Sequence, residues 1–148
     1  MQSVVKTFQE LTVEELYAIL RLRAEIFVVE QNCAYQDLDG VDQEAWHVYL
    51  KDGAEVVGYL RVVDKGKRLD EVSIGRVVSL YRRKGIGRRL MEIGKAVAKE
   101  KFRAEVVKIG AQVQAKPFYE KVGFVQVSGE YLEDGIPHIY MNCQLNNG

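Results

Sequence analysis

Apolar and polar positions alternate with changing period along this chain, and each change of period marks a new element. Residues 3 to 9 suit a short first strand. In TVEELYAILRLRAEIFVVEQN, residues Leu16, Ile19, Leu20, Ile26 and Phe27 recur at helical spacing, and only Arg23 breaks the apolar stripe. Thr12, with Glu15 three residues later, gives the capping-box signature for the start of that helix. CAYQDLDGVDQE has no period, carries Asp37, Asp39, Asp42 and Glu44, and reads as a loop.

AWHVYLK returns to a period of two, with Trp46, Val48 and Leu50 on one face and His47 and Tyr49 on the other. Asp52-Gly53 predicts a hairpin turn, EVVGYLRVVD the returning strand, and Gly58 a bulge within it. KGKRLD turns the chain again, and EVSIGRVVSLY is a third consecutive strand. From Gly85 the spacing of Ile86, Leu90, Ile93, Val97 and Ala98 predicts a helix running to about Phe102. AEVVKIGAQ reads as a buried strand. AKPFYEKVGF reads as a short helix, with Pro117 in its first turn and Gly123 past its end. Asp134-Gly135 then turns into a last strand, HIYMNCQL. This order predicts an α/β fold over residues 1–148 as one domain: a mixed, mostly antiparallel sheet flanked by helices.

Composition narrows the partners. The 148 residues are 47% hydrophobic, and 21 Lys plus Arg balance 21 Asp plus Glu. Overall charge gives no reason to expect a nucleic-acid or membrane partner, so any anion site must be local. MQSVVKTFQE lacks the layout of a secretory signal, no apolar run is long enough to span a bilayer, and a cytoplasmic location is expected. Cys33 and Cys143 lack a metal-ligand spacing; they read as a reduced pair, with a disulfide as the alternative, and no metal is expected.

Against that neutral background, RRKGIGRR concentrates positive charge around two glycines, where a strand gives way to a helix. A helix N-terminus offers unpaired N–H groups and a partial positive charge. Gly85 and Gly87 let a ligand approach the backbone, and Arg82, Arg83, Lys84, Arg88 and Arg89 add charged donors. Basic residues there oppose the helix dipole by roughly 0.3–1 kcal/mol each, a cost that an anion would offset. A pyrophosphate suits such a site. The turn is neither a Walker A loop nor GxGxxG. Taken alone, it fits equally a surface helix with solvated arginines.

The context of the turn is more specific. Arg82-Arg83-Lys84-Gly85-Ile86-Gly87 resembles the coenzyme A-binding turn of the GNAT N-acetyltransferase superfamily. So does the downstream run from Gln112 through Ala115, Phe118, Tyr119, Glu120, Lys121 and Gly123 to Phe124. RLRAEIFVVEQNCAYQDLDGVD and EDGIPHIYM resemble the ElaA-like branch. The resemblance implies the acyl-CoA N-acyltransferase fold and transfer of an acetyl group from acetyl-CoA to an amine-bearing acceptor, with no metal. It implies that the backbone of Val77, Val78 and Ser79 pairs with the pantetheine arm. It also implies that the amides from Arg83 through Arg88, including Lys84, Gly85, Ile86 and Gly87, hold the pyrophosphate, with side chains from Arg82 and Arg88. Gln112 stands where the family usually has an asparagine. Tyr119 matches a tyrosine near the thioester sulfur, where a phenol would protonate the leaving thiolate or hydrogen-bond the sulfur, the alternative being a core aromatic. Phe118 and Phe124 read as core aromatics.

The acceptor amine must lose a proton, and candidate bases are Glu71, Asp39, Asp42, His47, Glu130 and His138. His47, inside a strand, reads rather as a structural hydrogen-bonder. His138, in a Gly-Ile-Pro-His turn, is the better catalytic candidate. Asp37, Asp39 and Asp42 read either as a lure for a cationic amine or as a solvated loop. Cys33 has no visible activating neighbour, so direct transfer without an acyl-enzyme is expected. Two other functions remain open: an acyl-CoA-binding module without catalysis, and a nucleic-acid binder using the basic turn, which zero net charge disfavours. Homodimers are common in the superfamily, so a homodimer is an expectation here too.

Overall fold

In a computed structural model, described for residues 1–80 and 85–145, the pattern resolves into eight strands and three α-helices. The strands are β1 (Gln2–Thr7), β2 (Trp46–Asp52), β3 (Glu55–Val63), β4 (Val72–Ser79), β5 (Val106–Gln112), β6 (Val125–Gln126), β7 (Tyr131–Glu133) and β8 (Ile136–Gln144). The helices are α1 (Val13–Arg23), α2 (Ile86–Phe102) and α3 (Lys116–Lys121). One sheet runs in the order β1-β2-β3-β4-β5-β8-β6, and β7 pairs with the same edge of β8 as β6 does. All pairings are antiparallel except β4 with β5.

The helix starts follow their caps. Thr12 Oγ1 accepts from the Glu15 N–H at 3.1 Å, and Glu15 accepts from the Thr12 N–H at 2.8 Å, so two otherwise orphaned donors are satisfied. The helical spacing carried past residue 23, but α geometry does not. From Ala24 to Glu30 the backbone widens into a π-helical stretch. α2 begins after Gly85, whose φ of +69° would strain any residue bearing a Cβ. Asp134 and Gly135 both adopt positive φ, the twist that a two-residue hairpin between β7 and β8 requires.

Helices cover both faces of the sheet. On one, Ile19 and Leu22 of α1 join Tyr49, Tyr59 and Val78 in a small apolar cluster. On the other, Leu90, Met91, Val97 and Ala98 of α2 join Val48, Leu50, Leu60 and Val62 in the larger one, which also takes in Phe124. Gly58 of β3 makes that second packing possible. A Cβ there would lie 2.8 Å from Ile86 Cγ2 and 2.8 Å from Leu90 Cδ1. The expected irregularity is at the same place: Leu50 pairs with Gly58 and Lys51 with Val56, which leaves Val57 as the extra residue. Cys33 and Cys143 are free thiols, so the disulfide alternative falls. Among the described residues no helix is long and apolar enough to cross a membrane.

Candidate active site

The parallel pair β4 and β5 stays together only at Val72 with Val107 and Ser73 with Lys108. Beyond that point β4 keeps to β3 and β5 keeps to β8, so the two strands part. An open cleft lies along this split, with walls that include Gly75, Val77 and Ser79 on β4, and Gly110 and Gln112 on β5. A crevice at the carboxyl ends of diverging parallel strands is where open α/β sheets bind ligands.

A second irregularity shapes the β4 wall. Tyr59 pairs with Val78 and Arg61 with Gly75, so Leu60 of β3 faces both Arg76 and Val77 of β4. Such a bulge bends its strand and leaves the extra residue outside the ladder. Arg76 sits there at φ +54°, a left-handed conformation that costs an L-residue about 1–2 kcal/mol. Its guanidinium donates to Asp37 Oδ1 at 2.7 Å and to the Asp37 carbonyl at 3.0 Å.

That contact belongs to a buried ion-pair network. Arg23, fully buried, donates to Asp37 Oδ2 at 2.9 Å and to Asp42 Oδ1 at 2.8 Å. Arg61, 2% exposed, donates to Asp42 Oδ1 at 2.9 Å and grips Asp39 with Nη1 at 2.9 Å and Nη2 at 2.6 Å. Both sequence readings of the acidic loop are thereby corrected. Asp37, Asp39 and Asp42 neither face water freely nor wait for a cationic amine; arginines from α1, β3 and β4 neutralise them. Burial opposes ionisation of Asp39 and Asp42. The hydrogen bonds and charges of Arg61 on Asp39, and of Arg23 and Arg61 on Asp42, outweigh it and hold both carboxyls below the usual range. Neither is suited to take a proton near neutral pH. Arg23, the break in the stripe of α1, is the clue the sequence held to this network; Arg61 lay unnoticed in an apolar strand.

The histidines part company as well. His47 has both ring nitrogens committed, Nδ1 to the Tyr59 hydroxyl at 2.6 Å and Nε2 to the Asp42 carbonyl at 2.8 Å. His138 lines the cleft. Its Nδ1 lies 2.7 Å from the Ile136 carbonyl and its Nε2 lies 3.4 Å from Glu133 Oε2. Glu133 in turn accepts from Arg68 at 2.8 Å. The Ile136 carbonyl can only accept, so Nδ1 carries a proton, and Glu133 stands where it would hold a proton placed on Nε2.

Tyr119 also lines the cleft, held edge-on between Phe118 and Phe124. Burial pushes its phenol up to about 12, so it carries its proton at neutral pH. Gln112 lies directly opposite His138 across the β5/β8 ladder, and its Oε1 accepts from Gln114 Nε2 at 2.5 Å. Ser79 places a buried hydroxyl with no hydrogen-bond partner among the described residues on the β4 wall. The side chains of Val78 and Ile86 are in the core, which leaves only their backbone for a ligand. Arg88 is exposed at the cleft, in the first turn of α2. Arg82, Arg83 and Lys84 lie outside the described residues. Gly87 lines the cleft, and the Phe118 ring fills the place a Cβ would take there, at 3.1 Å. Glu71 and Glu130 are not brought into the cleft; Glu71 precedes β4 at the closed end of the split, and Glu130 is exposed before β7. Sequence reasoning missed Tyr35, whose ring lies 6.0 Å from the Arg76 guanidinium on the cleft wall, and Glu133.

A split parallel pair thus carries a left-handed glycine opening a helix at its mouth, with Tyr119 and His138 both lining the cleft between the strands. The sequence profile of the acetyltransferase (GNAT) domain family matches residues 8–145, and the chain belongs to that family of N-acyltransferases. Within it the chain falls in the ElaA-like branch. It is 40% identical over 136 residues to protein ElaA of Escherichia coli, covering 89% of each chain. The crystal structure of Escherichia coli ElaA superposes with a TM-score of 0.89 over 97% of this chain and 99% of that one, at 37% identity. The crystal structure of an acyl-CoA N-acyltransferase from Pseudomonas aeruginosa superposes with a TM-score of 0.88, at 39% identity and the same coverage.

Proposed function

We propose that this protein transfers an acetyl group from acetyl-CoA to a primary amine by direct attack, within the β4/β5 cleft. The observation that carries this reading is the cleft itself, in which Tyr119 and His138 both face the space between the parted strands. The residues fit an acyl-CoA. Ser79, on the cleft wall, has a hydroxyl with no hydrogen-bond partner among the described residues, and the first amides of α2 offer donors for a diphosphate. The names of the related acyltransferases support an acyl-CoA donor for this chain too.

The roles follow from the geometry. The amine reaches the thioester carbonyl after giving a proton to His138 Nε2, and Glu133 stabilises the imidazolium that results. The new N–C bond forms as the C–S bond breaks; the leaving thiolate takes the proton of Tyr119 Oη, and the second proton that the nitrogen sheds on becoming an amide restores the phenol. Burial keeps the phenol protonated, so it has a proton to share with the departing sulfur. Backbone from Val77 to Ser79 supports the pantetheine arm, while Arg88, with Arg82 outside the described residues, meets the phosphates.

The test is a screen of acetyl-CoA against polyamines, aminosugars, amino acids and peptides, read by thiol release. Tyr119→Phe should then lower kcat by about 10- to 100-fold, while the Kd for coenzyme A stays within about threefold. A protein that binds coenzyme A but acetylates nothing would favour a binding module instead. Equal kcat in Tyr119→Phe would remove the phenol from the mechanism.

A further inference from the structure

The buried network raises a question that loop fastening alone does not answer. Holding residues 33–44 to the sheet needs Arg23 and Arg61, both of which are buried and already paired with the loop. Arg76 reaches the same loop from the cleft wall, as Arg68 does at 3.9 Å from Asp39, and of these two it is the one bonded to Asp37. It is also the bulge residue with φ +54°. A left-handed arginine persists only where its surroundings over-determine it.

Asp37 supplies that constraint. One carboxylate oxygen and the carbonyl of Asp37 accept from Arg76, at 2.7 and 3.0 Å. The other oxygen accepts from Arg23 Nε at 2.9 Å, and the Tyr35 hydroxyl donates to the first at 3.3 Å. Asp37 is therefore not free to follow if the bulge relaxes. It is 7% exposed and fixed to Arg23, the last residue of α1, which is 0% exposed. Asp39 is a poorer anchor: it is already gripped twice by Arg61, and it reaches Arg76 only at 3.5 Å.

A rigid path thus runs from α1 through Arg23 and Asp37 to Arg76 and the bend of β4. The bend comes just past Ser73, the last residue paired with β5. The course of β4 there sets the direction of the cleft wall, and Gly75, Arg76 and Val77 all line it. We infer that Asp37 is a positioning residue for acyl transfer: by holding Arg76 in its left-handed conformation it fixes the β4 bulge, and so the backbone against which the thioester end of the substrate lies. This rests on reading the cleft as the acyl-CoA site.

The variant Asp37→Asn keeps the shape but loses the charge and one acceptor. With acetyl-CoA and an amine accepted by the wild type, kcat should fall about 10- to 100-fold, as misplacement of reacting groups does. The Kd for coenzyme A, set largely at the phosphates, should change less than about threefold. Amide exchange over residues 74–79 should quicken while that of β2 stays as it was. Arg76→Gly supplies the decisive background. Glycine takes positive φ without steric cost, so the bulge persists without an anchor. There, Asp37→Asn should change kcat less than about twofold. Arg76→Gly should also retain more kcat than Arg76→Lys, a comparison that holds even if Asp37→Asn folds poorly.

Three results would overturn the inference. One is a lowered urea midpoint in Asp37→Asn with kcat per folded molecule and β4 exchange unchanged, which describes a purely structural tie. The second is an undiminished effect of Asp37→Asn in the Arg76→Gly background. The third is Arg76→Lys outperforming Arg76→Gly, which would make the charge itself the working part. A wild type that binds no acetyl-CoA would sink the reading of the cleft instead, and exchange over residues 74–79 would still decide the anchor.

Discussion

His47 shows how a single side chain can look catalytic and be structural. Its Nε2–H donates to the Asp42 carbonyl, and its Nδ1 accepts from the Tyr59 hydroxyl, so the neutral ring is fully used. Burial, only partly offset by Asp42, holds its pKa below the usual imidazole value. An unfolded His47 takes up a proton that the folded one refuses. Its stabilising contribution is therefore complete above about pH 6.5 and is lost as pH falls below that. Asp39 and Asp42 are depressed acids, so theirs is complete above about pH 3.9 and is lost as pH falls below it. The urea midpoint should decline in two stages on acidification, and His47→Gln should remove the upper stage alone. A midpoint that rose between about pH 6.5 and 5 would contradict this account. The sequence made the histidine's structural role legible, because a lone histidine inside a strand is more often a hydrogen-bonder than a base. It did not make the aspartates legible, because their partners Arg23, Arg61 and Arg76 come from three separate elements. Residue spacing within one loop carries no trace of such contacts.

Among elements, glycine decides how closely α2 approaches the sheet. Gly58→Ala would drive a methyl into Ile86 and Leu90, both buried, at the start of α2. Such overpacking should cost about 1–3 kcal/mol in urea denaturation and weaken coenzyme A binding, because it shifts the helix start that meets the phosphates. Stability within about 0.5 kcal/mol of wild type would show that the helix repacks freely. Elements with several repeats of their period were readable: β2, β3, the 17-residue α2 and the last hairpin all fall where the pattern puts them. β6 was not, because two residues, Val125 and Gln126, cannot display an alternation. The π-helical stretch after Arg23 was hidden for another reason. Its apolar residues still fit helical spacing, while the change in hydrogen bonding leaves no mark on composition.

For the whole molecule, the architecture explains why a chain of zero net charge serves an anionic cosubstrate. Much of the acidic charge near the cleft is cancelled inside, by the arginines of the buried network. Arg88, exposed where α2 begins, keeps its charge at the cleft. The fold class was legible from the order of elements. The splaying of β4 was implied by the family resemblance, but the bulge beside it was not legible, since its left-handed residue is an arginine rather than a glycine. The most direct test is amide exchange of the full chain with and without acetyl-CoA. Protection should appear along residues 75–80 and over the first turn of α2, with the β6/β7 edge of the sheet unchanged. Absence of any protection at saturating acetyl-CoA, or protection confined to that edge, would contradict the assignment of the cleft.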